Sequence, residues 1–458
     1  MIKQLGKELD PEEVVGQFLL SSDSVLILRY DFAQYYLPGE PLVELLAILV
    51  KGATGVCLLL SDKLALAQAT INTMSGALTG ESLKQLSSDL SAPLFTLGQP
   101  LPLAPIAIAK PWGQEIWYTG IEARGQSGFS GGGYSAPIPW LLSLLGSHLL
   151  GAGQPGLNLL KILDPLAEPV YGDLYFELHQ EKREVYVVTH VDRQSWPDGE
   201  GGIRFGFAAS VREEFTNPDD FRQAYLQAVQ NYEAVRREID QVFDQYRLQQ
   251  NIAMSQPIAA SQLKEWQEGL PTELREEERN LREAMHRFTH MRALREGDVV
   301  KVPCLTPHAL QHGVRTVEFQ TPVYERKILA FEQKVLTQQH WDTEEAVALM
   351  TLQVEAEPPL PVLEQSKNCC REQVVAFDDF QVQRITLLAG AGWRVPVSPH
   401  YRLLMVVSGA LTVGRGVDAV ELMPEQAVLL PALSDATVLG NSGEADCIVL
   451  LSEPLAQS

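Results

Sequence analysis

Residues 171–192, with the sequence YGDLYFELHQEKREVYVVTHVD, decide the fold of the chain around them. Successive side chains of a β-strand point to opposite faces, so Glu177 and His179, two residues apart, are predicted to share a face. The polar residues QEKR then indicate a turn, and EVYVVTHV is typical of a second strand that begins at Glu184. The predicted hairpin brings two carboxylates and one imidazole together, as a metal ion requires. A bound metal needs at least one further ligand from elsewhere in the chain.

Composition and charge narrow the class of protein. The chain has 458 residues, with a hydrophobic content of 45% and a charged content of 21%. These values predict a soluble globular protein of about two to four domains. The formal net charge of -22 argues against nucleic acid or an anionic membrane as a partner, because binding to phosphates needs a basic surface.

The sequence also bears on the cellular compartment. Five scattered cysteines argue against a disulfide framework. The longest apolar runs, such as PWLLSLLGSHLL, are shorter than the roughly 20 residues of a membrane span, and the N-terminus lacks the apolar core of a signal peptide. We therefore expect a cytoplasmic protein.

The pattern of apolar residues divides the chain into four segments. Residues 1–105 mix strand-like runs with two stretches that read as helices, PLVELLAILVKG and TGESLKQLSSDL, and form an α/β or α+β region without a catalytic motif. Strand patterns fill residues 106–210 and 297–360, a helical pattern fills residues 211–296, and alternating runs return in residues 361–458. The sequence therefore predicts a mainly β protein with a helical insertion.

Three shorter features favour ordinary structural roles. Asn217 before Pro218 predicts the start of a long helix. The glycine-rich residues 125–137 lack the strand-to-helix context of a nucleotide site, so we expect a surface loop. His286 and His290 could share a helix face, but the glutamate of the zinc motif H-E-x-x-H is missing, and a packed or solvated helix face is the simpler interpretation.

A second motif supplies the missing ligand. Gly297 and Asp298 precede VVKVPCLTPH, in which a strand and a proline turn lead to His308. This order resembles the second conserved element of cupin barrels, and the spacing from Glu177 through His179 to Glu184 resembles the first. The resemblance implies that these two glutamates and two histidines form one metal site inside a cupin barrel.

The flanking residues are similar to those of the type I mannose-6-phosphate isomerases. The similarity is carried by AKPWGQEIW, LLKILDPL, GDVVKVPCLTPHALQHGV, RTVEFQ and TPVYER, over about residues 105–340. It implies two cupin (jelly-roll) barrels. The first, formed by residues 106–210 and 297–360, would bind the metal and carry residues 211–296 as its helical insertion, and the second, in residues 361–458, would be degenerate.

The same resemblance implies an aldose–ketose isomerase. In that family the metal holds the sugar oxygens while a proton moves between C1 and C2 through a cis-enediol. The pattern places catalytic roles on Glu318 and Arg326, and Lys110 and Trp112 are expected to line the substrate pocket, although Trp112 could equally belong to the core. The implied cofactor is one divalent ion, zinc before iron or manganese, and the implied partner is a small sugar or sugar phosphate.

Three positions differ from the family pattern. The family's neutral glutamine is Glu177 here, its phosphate-holding serine is Tyr175 by position, and Arg183 stands for the lysine of its K-x-E pattern. A second carboxylate would weaken the Lewis acidity of the metal and favour iron or manganese. Two alternatives to an isomerase therefore stay open, a non-catalytic carbohydrate-binding or regulatory cupin and an iron-dependent cupin oxygenase. No oligomeric state is predicted.

Overall fold

The computed structural model describes residues 3–4, 9–53, 55–65, 78–171, 173–354, 357–414, 416 and 419–455. The fold is mainly β, as predicted. Contacts group the chain into a first unit (Met1–Ile106, Trp117–Leu160 and Leu360–Ser458) and a second, here called the site unit (Ala107–Ile116 and Lys161–Pro359). The boundaries of the four predicted segments remain a prediction. In the part of the chain that the structure describes, no helix is both long and apolar enough to cross a bilayer.

Two sheets build the site unit. The six-stranded sheet contains, in spatial order, Val299–Val302, Glu184–Val191, Val314–Gln320, Leu159–Pro165, Gly113–Trp117 and Ile106–Lys110. The five-stranded sheet contains Thr289–Leu294, Gly201–Phe207, His308–Leu310, Phe176–Leu178 and Lys327–Ala330. The predicted hairpin is therefore split between the sheets, because its first strand pairs in one sheet and its second strand in the other.

Helices fill the predicted insertion. They are Ala209–Arg212, Pro218–Gln249, Ala260–Glu268 and Thr272–His286, and Thr343–Leu349 follows later in the chain. The long helix begins where the sequence predicted, since the side chain of Asn217 accepts a hydrogen bond of 3.0 Å from the backbone N–H of Asp219 and Pro218 is the first helical residue.

Aromatic packing orients the strand Phe176–Leu178, which carries Glu177. The ring of Phe207 lies 5.2 Å from that of Phe221 and 5.1 Å from that of Tyr225, both on the long helix, and 6.2 Å from that of Phe176. Phe176 thus points to the helical side of the five-stranded sheet. Because neighbouring side chains alternate in a strand, Glu177 points to the opposite side, between the two sheets.

The N-terminal part of the first unit has α+β character. Its five-stranded sheet has the order Lys3–Gln4, Val25–Ala33, Leu42–Gly52, Gly55–Ser61 and Leu94–Thr96, and only the first pairing is parallel. The helices that the structure describes in this unit are Pro11–Leu20, Gly80–Leu90 and Ile138–Leu150. Leu83, Leu86 and Leu90 of the second helix pack with Ile48 and Leu59 of the sheet, so the helix covers one face of it.

The C-terminal part of the first unit is a two-sheet β-structure. A nine-stranded sheet has the order Tyr134–Pro137, Gly128–Gly131, Leu101–Ala104, Ala427–Leu430, Arg402–Ser408, Cys447–Pro454, Phe380–Leu387, Cys369–Ala376 and Val362–Gln365. A four-stranded sheet has the order Gly392–Arg394, Val438–Asn441, Leu411–Val413 and Val420–Leu422. Leu404 and Val449 of the larger sheet share a core with Leu411 and Leu439 of the smaller one. This is the face-to-face packing predicted for a jelly-roll.

Two segments fold differently from the prediction. PLVELLAILVKG was expected to be helical, but Leu42–Gly52 is a strand between two others, and its long buried run is typical of a strand covered on both faces. Residues 125–137 were expected to be a loop, but Gly131 pairs with Tyr134 across a two-residue turn. Gly132 and Gly133 have positive φ values of 63° and 86°, which this hairpin turn requires.

Candidate metal centre

The four predicted ligands converge between the two sheets of the site unit. Glu177 lies directly opposite His308 on neighbouring strands of the five-stranded sheet. Glu184 begins a strand of the six-stranded sheet, where it lies opposite Gln320. His179 lies two positions after Glu177, one residue past the end of the strand, and keeps the side of Glu177. Residues that are far apart in sequence thus point into one interior space.

Glu184 is the centre of this cluster. Its Oε1 lies 3.1 Å from Nε2 of His179, and its Oε2 lies 3.1 Å from Nε2 of His308. Nε2 of His179 also lies 3.8 Å from Oε1 of Glu177. Glu177, His179 and His308 each offer one potential ligand atom, and these three atoms lie within 4.8 Å of one another. The structure brings the four predicted residues together, and their role as metal ligands remains a prediction.

The imidazoles are oriented for a cation. Nδ1 of His179 lies 2.9 Å from the carbonyl oxygen of Glu325, and Nδ1 of His308 lies 3.0 Å from that of Thr306. A carbonyl only accepts, so each Nδ1 donates a hydrogen bond and each Nε2 faces the carboxylates of the cluster. Nε2 of His179 and Oε2 of Glu177 are buried and have no hydrogen-bond partner among the described residues. A divalent cation would satisfy both atoms, so the residues fit a metal.

Further side chains hold Glu184 as a carboxylate. Tyr186 donates to it at 2.8 Å, Gln320 at 2.6 Å, and Nζ of Lys182 lies 2.8 Å away. Burial by itself raises the pKa of Glu184, but His179 and Lys182 hold it well below its usual range. Burial likewise lowers the pKa of His308, but Glu184 raises it on balance. Each shift favours the ionised form of its own group, the carboxylate of Glu184 and the imidazolium of His308.

Lys182 corrects one sequence assignment. The lysine of the K-x-E pattern was assigned to Arg183, but Lys182 and Glu184 are two residues apart in an extended segment and therefore share a face. Arg183 is half-buried, and its backbone N–H donates to Thr321 at 3.1 Å. Reading K-x-E with its own spacing would have found Lys182 in the sequence.

A row of buried charges continues from the cluster. Glu318 is 1% exposed, and Nζ of Lys161 lies 3.2 Å from its Oε2 and 3.9 Å from Glu115. Nζ of Lys110 lies 3.1 Å from the same Glu115. Sequence reasoning missed Lys161 and Glu115. The sequence pattern that could have identified them is a charged residue at an inward position of an apolar strand. Burying such a charge is unfavourable unless it is paired with an opposite charge.

Glu318 has the properties of a group that exchanges protons near neutral pH. Burial raises its pKa, the negative charge of Glu184 raises it further, and Lys161 and Lys182 only partly oppose them, so the pKa is about 8. Gln320 also donates to Oε1 of Glu318. The carboxyl group can therefore both take up and release a proton under mild conditions.

The remaining predicted site residues are Arg326, Trp112 and Lys110. The guanidinium of Arg326 is 4.6 Å from the ring of Tyr175, its Nε is 3.9 Å from Glu177, and it donates to Thr337 at 2.6 Å. Trp112 is 2% exposed and belongs to the hydrophobic core of the site unit, which is the second of the two roles considered for it. The substrate-binding roles of Lys110 and Trp112 remain predictions.

The histidine pair of the insertion does not share a helix face. The helix ends at His286, and His290 lies exposed on the following strand. His286 does lie close to two carboxylates, Asp173 and Glu332, in a second group of potential ligands. Those carboxylates are paired with arginines, Asp173 with Arg204 and Glu332 with Arg282, so cations already compensate their charge.

Comparisons with known proteins bear on the fold. No family model matches the sequence, and no curated protein matches it either. The mannose 6-phosphate isomerase from Bacillus subtilis superposes with a TM-score of 0.51 and 14% identity, over 77% of this chain and 99% of that one. Two mutants of phosphomannose isomerase from Salmonella typhimurium give TM-scores of 0.50 at 14% and 15% identity, each over 78% of this chain and 100% of theirs. At such low identity the likeness concerns the fold alone: the chain has the cupin fold of these isomerases.

Proposed function

We propose that the protein is a divalent-metal-dependent aldose–ketose isomerase that acts on a hexose phosphate or a related sugar. The observation that carries the proposal is the placement of Glu318, a buried carboxyl group with a pKa of about 8, one hydrogen-bonding residue away from the cluster of Glu177, His179, Glu184 and His308. A metal site and a proton carrier side by side are what such an isomerisation needs.

The cluster would hold the ion through its two imidazole Nε2 atoms and two carboxylates. When bound there, a divalent ion supplies Lewis acidity, which polarises a carbonyl group and stabilises negative charge on oxygen. Zinc suits the two imidazoles, whereas the second carboxylate, Glu177, suits iron or manganese as well.

The protein's own residues would move the proton. The carboxylate of Glu318 would remove the proton from C2 of the aldose and later return it to C1. The hydroxyl proton would pass from O2 to O1 in the same sequence, so that the intermediate is a cis-enediol and no net proton is lost. Lys161 and Lys182 place positive charge beside Glu318 and Glu184, and Arg326 adds a guanidinium next to Glu177. Fixed positive groups stabilise the negative charge that develops on the substrate oxygens.

The names of the structural neighbours suggest the first substrate to test. They are described as mannose 6-phosphate isomerase and phosphomannose isomerase. The protein should be purified without chelators and assayed with mannose-6-phosphate, fructose-6-phosphate and unphosphorylated mannose. We expect turnover of at least one of them, and its loss in Glu318→Gln with the metal content retained. A protein that contains metal but converts neither a hexose nor a hexose phosphate would contradict the proposal.

A non-catalytic sugar-binding role is the second candidate. Arg326 is engaged by Glu177, by Thr337 and by the ring of Tyr175, which leaves it less available to a charged substrate. Under this alternative, mannose or mannose-6-phosphate would raise the melting temperature of the metal-loaded protein without being converted.

A further inference from the structure

The bend at residues 180–182 connects two of the candidate metal ligands, because His179 precedes it and Glu184 follows it after one further residue. The three backbone N–H groups of the bend donate to a single atom, Oε1 of Glu325, at 2.8, 3.0 and 3.2 Å. They have no other acceptor among the described residues. Successive N–H groups that converge in this way form a concave site for an anion, and the side chain of Glu325 supplies the anion.

Glu325 also holds the imidazole beside the bend. Its carbonyl oxygen accepts a hydrogen bond from Nδ1 of His179 at 2.9 Å. Glu325 lies two residues before the strand Lys327–Ala330, which pairs with the strand Phe176–Leu178. One residue therefore fixes the bend through its side chain and the ring of His179 through its backbone, from a segment that the sheet keeps in place.

The bend in turn places a lysine against the centre of the cluster. Lys182 is buried, and its Nζ lies 2.8 Å from Oε1 of Glu184. Nε2 of His179 lies 3.1 Å from that same oxygen. The side chains of Gln180 and Glu181 are exposed, so their packing does not hold the bend. A shift of the bend would therefore disturb two contacts of one carboxylate oxygen at once.

From these contacts we propose that Glu325 is a positioning residue of the candidate metal centre, which holds His179 and Lys182 in place against Glu184. The inference rests on the metal-dependent function proposed above. A residue that orients a metal ligand through a hydrogen bond affects the affinity for the metal. Glu325 orients His179 directly and Lys182 through the bend, so the loss of its carboxylate should weaken metal binding.

Glu325→Ala tests this role in the full-length protein, since it removes the carboxylate and keeps the backbone carbonyl. We expect the affinity for Zn²⁺ or Co²⁺ to fall about 10- to 100-fold, measured by competition with a chelating dye. The visible absorption of bound Co²⁺ should change as well, because it reports the arrangement of the ligands. Glu325→Gln keeps an uncharged acceptor oxygen and should show a smaller loss of affinity. It decides the case if Glu325→Ala fails to fold.

Asp192→Ala is the matched control. Oδ1 of Asp192 accepts hydrogen bonds from the backbone N–H groups of Gln194 and Ser195 at 2.8 and 3.1 Å. It thus holds a turn of the site unit in the same manner as Glu325 does, but that turn contains none of the four candidate ligands. We expect the control to keep the wild-type affinity and the wild-type Co²⁺ spectrum. An equal loss of affinity in the two alanine variants would overturn the inference.

Hydrogen–deuterium exchange tests the contacts in metal-free protein. Amide exchange at residues 180–182 should be at least about tenfold faster in Glu325→Ala than in the wild type, because hydrogen bonds to a charged acceptor protect those amides. A wild type without affinity for Zn²⁺, Co²⁺ or Mn²⁺ would refute the proposed function together with this inference. Wild-type affinity that both Glu325 variants retain, or unchanged exchange at residues 180–182, would overturn this inference alone.

Discussion

Glu184 shows how single residues specify the candidate centre. Its carboxylate contacts both imidazoles and accepts hydrogen bonds from Tyr186 and Gln320, so every partner fixes its position. Residues that hydrogen-bond to a metal ligand, without contacting the metal, orient that ligand and so affect the affinity for the metal. The affinity for metal should therefore depend on residues that never touch the ion.

Tyr186→Phe tests this dependence. The change keeps the ring and removes the hydroxyl group that donates to Glu184 at 2.8 Å. We expect the affinity for Zn²⁺ or Mn²⁺ to fall about 10- to 100-fold, as is usual when such a partner is lost. Competition with a chelating dye measures the affinity. The matched control is Tyr225→Phe, because the buried hydroxyl of Tyr225 has no hydrogen-bond partner among the described residues. An equal effect of both changes would contradict the account.

Glu318 should give the metal-free protein a distinct pH dependence. Its pKa rises from 4.5 to about 8 on folding, chiefly through burial and then through the charge of Glu184. The folded state therefore binds the proton more tightly than the unfolded state does. The contribution of Glu318 to the free energy of unfolding is fully present below about pH 4.5 and is lost as the pH rises to about 8.

Glu318→Gln removes this titration while keeping the shape of the side chain. As the pH rises across that window, the free energy of unfolding of the wild type should fall relative to that of the variant. Urea unfolding measures both after a chelator has removed any bound metal. Glu273→Gln, an exposed change on a helix, should follow the wild type. A constant difference between wild type and Glu318→Gln at all pH values would contradict the assigned pKa.

The helical insertion acts at the scale of the element. Its long helix packs Phe221 and Tyr225 on Phe207 of the sheet that carries the candidate ligands Glu177 and His308. This packing decides which face of the sheet is apolar, and so which face can present Glu177 and His308. One face of the sheet therefore packs on the helix, and the opposite face presents the candidate ligands.

Phe221→Ala should lower the free energy of unfolding by about 3–5 kcal/mol, because the side chain is fully buried and the cavity left behind cannot collapse completely. Leu248→Ala, at a position of the same helix that is 67% exposed, should change it by less than about 0.5 kcal/mol. Chemical denaturation measures both values. A similar cost for the two changes would show that the insertion does not pack on the sheet in this way.

The success of sequence reasoning depended on the kind of signal. The N-cap at Asn217 and the shared face of Glu177 and His179 were predictable, because capping and strand alternation are local rules, whereas His308 was placed by the resemblance to cupin barrels. The strand Leu42–Gly52 was not, because a continuous apolar run fits a buried helix and a buried strand alike. The pairing of Lys161 with Glu318 could not be predicted by local rules, since the two residues are 157 positions apart and meet only through the order of the sheet.

At the scale of the whole molecule, we expect metal binding and stability to be linked. The candidate ligands come from both sheets of the site unit, so an ion bound there would join them. An ion that binds only the folded state stabilises it by about 2.7 kcal/mol when its concentration is 100 times the dissociation constant. Chelation should therefore lower the melting temperature, and readdition should restore it. Glu184→Gln should respond weakly or not at all, and an unchanged response in that variant would contradict the link.

The most direct test of the central claim is the metal content of purified variants, determined by plasma mass spectrometry after expression without chelators. The wild type should contain one divalent metal ion per chain. His179→Ala and His308→Ala should contain almost none, and His286→Ala should match the wild type, because its histidine belongs to the separate arginine-paired cluster. Metal that persists in both His179→Ala and His308→Ala, or that disappears in His286→Ala, would contradict the account.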